Sequence, residues 1–378
     1  MTATGKRKPR PTTNGESASL LTGRATPAAT HGFADRFRQS FATDFYRDVA
    51  GLTVSSIGMG TYLGECDDAE DERYVELLLA GVGRGLNLLD TAINYRCQRS
   101  ERAVGQAVRR AIVDGKATRE ELVVCTKGGY VPLEGAPPES REEYNAYLES
   151  QYFGRGTMSR GDLVAGGHCL TPRFLTDQIE RSLANLELDC IDIFYLHNPE
   201  QQLDTLDRPR FMGVMRGAFA ELESQAKAGR IGAYGCATWN GFRVFAASRN
   251  HLSLPDLVGL AREVGGNAHH FRAIQLPVNL AMTEAIRSPT QNADGKNVPL
   301  LGLAEALGVS VVASASLMQS QLTRDLPPAV RSLFPALETD AQRAIAFVRS
   351  LPVATALVGM RSREHLEENL VAGAATGS

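Results

Sequence analysis

Four side chains with complementary proton chemistry stand at or just past the ends of three apolar runs: an acid (Asp90), a phenol (Tyr95), an amine (Lys127) and an imidazole (His197). Asp90 follows Leu86, Asn87, Leu88 and Leu89, and Tyr95 lies five residues on. Lys127 closes a run that begins at Leu122, and His197 closes one that begins at Cys190. Such a set can protonate a substrate oxygen and tune the group that does so. Singly, each reads as a helix cap, a surface charge or a satisfied polar residue. As a set they are more specific. Lys127 ends a buried run, where an unpaired ammonium is costly, and Asp90 one strand away is its natural partner. In closed α/β barrels, catalytic groups collect at the C-terminal ends of the strands.

The elements that must position them alternate. Strand-like runs fall at 54–57, 86–89, 122–126, 190–196, 231–237, 273–276, 309–315 and 354–358. Most are continuously apolar, as strands buried on both faces should be. Between them the helical period holds: Ala103, Val104, Ala107, Val108, Ala111 and Ile112 share one face. Thr171-Pro172 marks a helix start, and Leu175, Ile179, Leu183 and Leu186 form the stripe behind it. Eight β runs with intervening helices predict a single (β/α)₈ barrel over residues 41–373, with an open doubly wound sheet as the alternative. Residues 43–57 should form a hairpin around Ala50-Gly51 that plugs the far end. Segments 129–170 and 278–298 exceed ordinary connections and follow strand ends, so both should overhang the site. Gly81-Val82-Gly83-Arg84-Gly85 follows a helical pattern and precedes a strand, the reverse of a dinucleotide loop. It reads as a helix end and turn.

With 40 basic and 43 acidic residues the chain carries a formal net charge of −3, which argues against a nucleic-acid footprint. No apolar run approaches the roughly 18–20 residues that span a membrane. The six cysteines form no C-x-x-C pair and no zinc spacing, so no metal is expected. A cytoplasmic protein with free thiols is the expectation. Residues 1–40, rich in Thr, Ala, Gly and Pro, read as a disordered tail, with a transit peptide as the sharper alternative. Residues 374–378 read as a frayed end.

D-T-A-x-x-Y-x-x-x-x-S-E, then T-K-G at the third strand's end, then Y-L-H at the fourth's, closely resembles the aldo-keto reductase superfamily. The resemblance extends from about residue 52 to 372. It is nearest to a bacterial subgroup of unassigned substrate, on NYRxQRSE and ATWNG. It implies reduction of an aldehyde or ketone by NAD(P)H: Tyr95 as general acid, Lys127 lowering its pKa, Asp90 paired with Lys127, and His197 orienting the carbonyl. A free phenol titrates near 10. A cation about 4 Å away contributes roughly 4 kcal/mol at an effective dielectric of about 20, enough to bring Tyr95 into a useful range.

The resemblance also implies the cofactor contacts. Gly60 and Thr61 follow the first strand. Thr238 and Gln275 stand where the carboxamide is held. Ser316, Leu317, Gln319 and Gln321 lie in the segment that covers the pyrophosphate. Gly359, Arg361, Ser362, His365, Glu368 and Asn369 lie in the adenosine segment. Arg361 and Ser362 suit a 2′-phosphate, so NADPH is favoured over NADH. Four positions depart from the family pattern. Ala237 and Thr238 replace the usual Ser-Asn, Ser314 replaces an aromatic, and His365 stands where Arg or Gln is common.

The expected partner is a small-molecule carbonyl compound, and nothing distinguishes a monomer from a homo-oligomer. Two other functions fit parts of the pattern. A regulatory barrel that binds nucleotide with slow turnover is one. The other makes Lys127 a Schiff-base nucleophile, against which Asp90 argues. Cys125 shares a strand face with Lys127, and Cys97 lies beside Tyr95; both read as packing thiols or as oxidant-sensitive ones. Trp239 reads as a rim residue, either a substrate wall or packed on the next helix.

Overall fold

The computed structural model describes residues 20–374. In chain order the elements are α1 (Pro27–Phe37), β1 (Tyr46–Val49), β2 (Leu52–Ser55), β3 (Ile57–Gly60), α2 (Asp68–Gly83), β4 (Leu88–Asp90), α3 (Arg99–Val113), β5 (Val123–Gly128) and α4 (Arg141–Leu148). Then come α5 (Pro172–Leu186), β6 (Ile191–His197), α6 (Arg208–Lys227), β7 (Ile231–Ala237), α7 (Leu254–Gly265), β8 (Phe271–Pro277), α8 (Glu284–Arg287), β9 (Gln291–Ala293) and β10 (Lys296–Val298). The chain ends with α9 (Leu300–Ala306), β11 (Ser310–Ser314), α10 (Pro328–Leu333), α11 (Asp340–Arg349), β12 (Thr355–Gly359) and α12 (Arg363–Ala374). Strands β3 to β8, β11 and β12 close into one parallel barrel. This is the (β/α)₈ architecture that the alternating runs predict, and an open sheet is excluded by the β12–β3 pairing.

Alternation along β5 sorts the side chains. Val123 and Cys125 join the cluster inside the barrel, and Val124 joins the layer between strands and helices. Thr126 points outward to Glu101 on α3, at 2.6 Å. Lys127 is therefore on the inward face with Cys125. The same period brings Leu88, Ile193, Tyr195, Ala273 and Val312 into the interior.

The first barrel strand lies three residues later than the apolar run at 54–57. Val54 belongs instead to the hairpin β1–β2, whose turn puts Ala50 and Gly51 at φ 55° and 82°. That positive-φ pair suits the twist of a two-residue hairpin loop. Val49 and Val54 pack into the barrel interior and close its N-terminal end. The glycine cluster is a helix end: α2 stops at Gly83, and Gly85 has φ 95°, where a Cβ would meet Phe37 Cγ and Tyr46 Oη at 2.8 Å.

Residues 21–40, which the sequence reading places in a tail, include a helix and backbone ties to the barrel. Thr26 caps α1 by accepting from the Ala29 amide, Pro27 follows it, and Phe33 and Ala34 are fully buried. Leu21 exchanges backbone bonds with Glu187 and Asp189, which ties this segment to the barrel's base. Residues 1–19 and 375–378 lie outside the described residues, and so do the tail and transit-peptide readings that fall on them. Among the described residues, no helix is long and apolar enough to cross a membrane.

Candidate active site

Strand ends β3, β4, β6, β7, β11 and β12 contribute Gly60, Asp90, His197, Ala237, Ser314 and Gly359 to one cavity of about 620 Å³. Its position at the C-terminal face is where barrel chemistry is expected. Beneath its floor Lys127 Nζ stands 2.5 Å from Asp90 Oδ1 and donates to the Thr91 carbonyl at 2.8 Å. Both side chains are nearly inaccessible, at 1% and 5% exposure. Burial alone would lower the Lys127 pKa, but Asp90 chiefly outweighs it and the net direction is up. The lysine is a fixed cation.

Tyr95 reaches this cation from the loop after β4; Lys127 Nζ is 4.9 Å from the centre of its ring. Its pKa direction differs from the expectation drawn from Lys127 alone. Burial pushes the phenol up, the Lys127 charge pulls it down, and Asp90 pushes it up again; the net is upward. Desolvating the phenolate outweighs one paired cation, because Asp90 cancels part of that cation's field. The phenol stays protonated and can give its proton up. The His197 ring stands 5.8 Å from the Tyr95 ring. Burial, with the Lys127 charge, holds His197 well below its ordinary pKa, so it is a neutral imidazole.

Of the positions proposed for a cofactor, Gly60, Thr61, Thr238, Gln275, Ser316, Leu317, Gln319, Gln321 and Gly359 all line the cavity. Gln275 Nε2 donates to Asp90 Oδ2 at 2.8 Å, so it joins the Asp90–Lys127 pair as well. Thr61 Oγ1 donates to the Asp90 carbonyl. Thr238 Oγ1 and Asn94 Oδ1 are buried without a hydrogen-bond partner among the described residues. Both residues line the cavity, so a polar ligand such as a carboxamide would satisfy them. Ala237 and Ser314, two of the departures, line it too.

Arg361, Ser362, His365, Glu368 and Asn369 are not part of the cavity wall. Arg361 is half-exposed and pairs with Glu70 Oε2 at 3.4 Å. Ser362 Oγ accepts from the His365 amide at the start of α12. Asn369 is buried.

Several site residues were not singled out from the sequence. Tyr62 packs edge-on against Tyr95 at 4.9 Å, and Tyr130 packs edge-on against His197 at 5.0 Å. The 129–170 segment folds on its own small core of Val131, Leu148, Tyr152, Met158, Cys169 and Phe174. Its two ends meet in an isolated antiparallel bridge between Tyr130 and His168. This brings His168 Nε2 to 2.8 Å from the His197 carbonyl, while Gln202 Nε2 stands 2.7 Å from His168 Nδ1. With Nδ1 accepting from the amide, the Nε2–H donates to the carbonyl. Burial lowers His168 to about 4, which keeps it neutral. Glu200 Oε1 accepts from the backbone amides of Trp239, Asn240 and Gly241 at 2.8, 3.0 and 3.2 Å. It thereby fixes the loop that carries Thr238 and the rim residue Trp239. Position past a strand end was the one available signal, for Tyr62 and Tyr130 alike.

The aldo/keto reductase family model matches residues 56–255, just over half of the chain. The chain belongs to the aldo/keto reductase family. Family membership accounts for the barrel together with the motif that places Asp90 and Tyr95. Among curated relatives, an aldo-keto reductase family 1 member C23-like protein of Equus caballus is 26% identical over 149 residues, 39% of this chain and 33% of its own length. An NADH-specific methylglyoxal reductase of Escherichia coli is 27% identical over 191 residues, 49% of each chain. The chain thus spans about a third to a half of the length of these relatives. An aldo/keto reductase of Klebsiella pneumoniae, solved with NADP and acetate, shares the fold with a TM-score of 0.57 at 20% identity, over 88% of this chain and 91% of that one.

Proposed function

We propose that this aldo/keto reductase family member is an NADPH-dependent oxidoreductase that reduces an aldehyde or ketone to an alcohol, with Tyr95 as general acid. One observation carries the reading. A protonated phenol, a fixed ammonium and a neutral imidazole converge on a cavity whose wall leaves Thr238 Oγ1 and Asn94 Oδ1 unsatisfied.

The cofactor, when bound, supplies the hydride that this reaction needs. Thr238 and Gln275 would hold its carboxamide, and residues 316–321 would cover its pyrophosphate. Tyr95 holds the proton that the substrate oxygen takes. Lys127 then stabilises the phenolate left behind, and Asp90 keeps Lys127 charged and in place. Neutral His197 is suited to donate a hydrogen bond to the same oxygen. Tyr62, Tyr130 and Trp239 would wall the substrate on the cavity side.

NADPH rather than NADH rests on Arg361 beside the C-terminal end of β12. Relatives differ on this point: the Escherichia coli enzyme is NADH-specific, and the Klebsiella structure contains NADP. Asp90 keeps Lys127 protonated, which disfavours its use as a Schiff-base nucleophile. The regulatory reading draws on Ala237 and Ser314 in the cavity wall. Measuring NADPH consumption against aldehydes, ketones and sugars tests the proposal. Turnover with a carbonyl compound supports it, and cofactor binding without turnover of any would favour the regulatory reading.

A further inference from the structure

Cys66 and Cys97 come from different loops, after β3 and β4, and their Sγ atoms lie 3.8 Å apart. Both loops belong to the active site. Cys97 is two residues past Tyr95, and Cys66 is four past Tyr62, whose ring packs on Tyr95. We propose that Cys66 and Cys97 are a thiol pair that peroxide converts to a disulfide, and that closure displaces Tyr95 and slows carbonyl reduction.

The backbone around the pair is already held together. Arg96, the residue before Cys97, donates its Nε to the carbonyl of Glu65, the residue before Cys66, at 2.8 Å. The same guanidinium bonds Asp71 on α2 at 2.5 Å and lies 5.2 Å from the Tyr74 ring. Arg96, Cys97 and Gln98 have φ of 47°, 55° and 71°, a left-handed turn that none of these residues favours. Gln98 Nε2 anchors its far side to the Leu133 carbonyl at 3.0 Å. The tie between Arg96 and Glu65 keeps the sulfurs adjacent, and the left-handed turn directs Cys97 back toward Cys66.

The two thiols differ in access. Cys66 is partly exposed, whereas Cys97, Cys125, Cys169, Cys190 and Cys236 are buried. Burial pushes the Cys97 thiol up to about 12, so Cys66 reacts first. Its sulfur takes one oxygen from hydrogen peroxide, giving a sulfenic acid and one water. Cys97 Sγ then attacks that sulfur. The S–S bond forms, the S–O bond breaks, and the oxygen leaves as a second water with the Cys97 proton. Two thiols have lost two electrons, and peroxide has gained them. A dithiol reductant reverses the step by exchange.

A disulfide requires about 2.0 Å between sulfurs, so the two Sγ atoms must approach from 3.8 Å, by side-chain rotation together with a shift of the left-handed turn that joins Cys97 to Tyr95. A misplacement of about 1 Å can cost about 100-fold in rate. Closure should therefore lower turnover by tenfold or more, with recovery on reduction.

The test treats the full chain with hydrogen peroxide, blocks remaining thiols by alkylation, and maps peptides by mass. The expected result is a Cys66–Cys97 cross-linked peptide, together with a fall in turnover that dithiothreitol reverses. Cys66→Ser and Cys97→Ser should each keep basal turnover and lose the reversible response. The proposal is overturned if both thiols remain alkylatable, if Cys66 oxidises without cross-linking, if turnover survives cross-linking, or if Cys66→Ser responds like the wild type. The turnover readout rests on the reductase reading, whereas the cross-link does not. A cross-link in a protein that reduces no carbonyl when fully thiol-reduced would count against that reading instead.

Discussion

Gln275 on β8 donates its side-chain amide to Asp90 Oδ2 at 2.8 Å, from a strand that does not neighbour β4 in the barrel. Lys127 holds the other oxygen at 2.5 Å. The carboxylate is thus fixed on both sides, and a residue expected only at the cofactor also helps to orient the partner of Lys127. A buried carboxylate with two such donors has little freedom to swing.

Lys127→Met leaves Asp90 with Gln275 as its remaining side-chain donor. Breaking a buried ion pair from one side typically costs about 3–5 kcal/mol. Denaturant unfolding should show a loss of that order, and carbonyl reduction should fall with it. A variant that is as stable and as active as the wild type would show that the pair does neither job.

Acid should weaken the protein through His168. Its folded pKa is about 4 against an ordinary 6.5. Between these values the unfolded chain binds a proton that the folded chain refuses, so stability falls as pH drops from 6.5 toward 4. Below that window both states are protonated, and this residue adds no further loss. The full difference amounts to about 3 kcal/mol. His197, also depressed, adds a slope of the same sign. His168→Gln should flatten stability against pH in this window without abolishing the dependence. An unchanged slope in thermal melts across the window would contradict the assignment.

Arg361 tests the cofactor preference. Charge-assisted bonds to a 2′-phosphate contribute about 1.5–3 kcal/mol, or roughly 10–150-fold in affinity. Arg361→Ala should weaken NADPH by that factor and leave NADH almost unchanged, as read by fluorescence titration. The wild-type arginine must first share itself with Glu70 at 3.4 Å. Equal losses for both cofactors would mean that it does not read the phosphate.

Much of the framework was legible because strand and helix periods are local. The buried runs marked seven of the eight barrel strands, and the polar residues at or just past their ends marked Asp90, Tyr95, Lys127 and His197. Val54 misled the placement of the first strand, since a hairpin plug buries a valine as a barrel strand does. Helix α1 carries the same Thr-Pro start as α5, at Thr26-Pro27, inside a stretch whose composition otherwise resembles a tail. The contacts of His168 with the His197 carbonyl and of Glu200 with the 239–241 amides join residues about 30–40 apart along the chain, with no periodic signal to link them. The upward direction of the Tyr95 pKa depends on burial, which residue spacing does not report.

The most direct test of the account is the rate of NADPH oxidation by an aldehyde or ketone substrate, wild type against Tyr95→Phe, with cofactor affinity measured alongside. General acid catalysis typically contributes about a hundred- to ten-thousand-fold. The account predicts a loss of that size in turnover, with cofactor affinity held within a few-fold, because the substitution removes the proton and keeps the ring that packs on Tyr62 and His197. Turnover in the variant close to that of the wild type would contradict it.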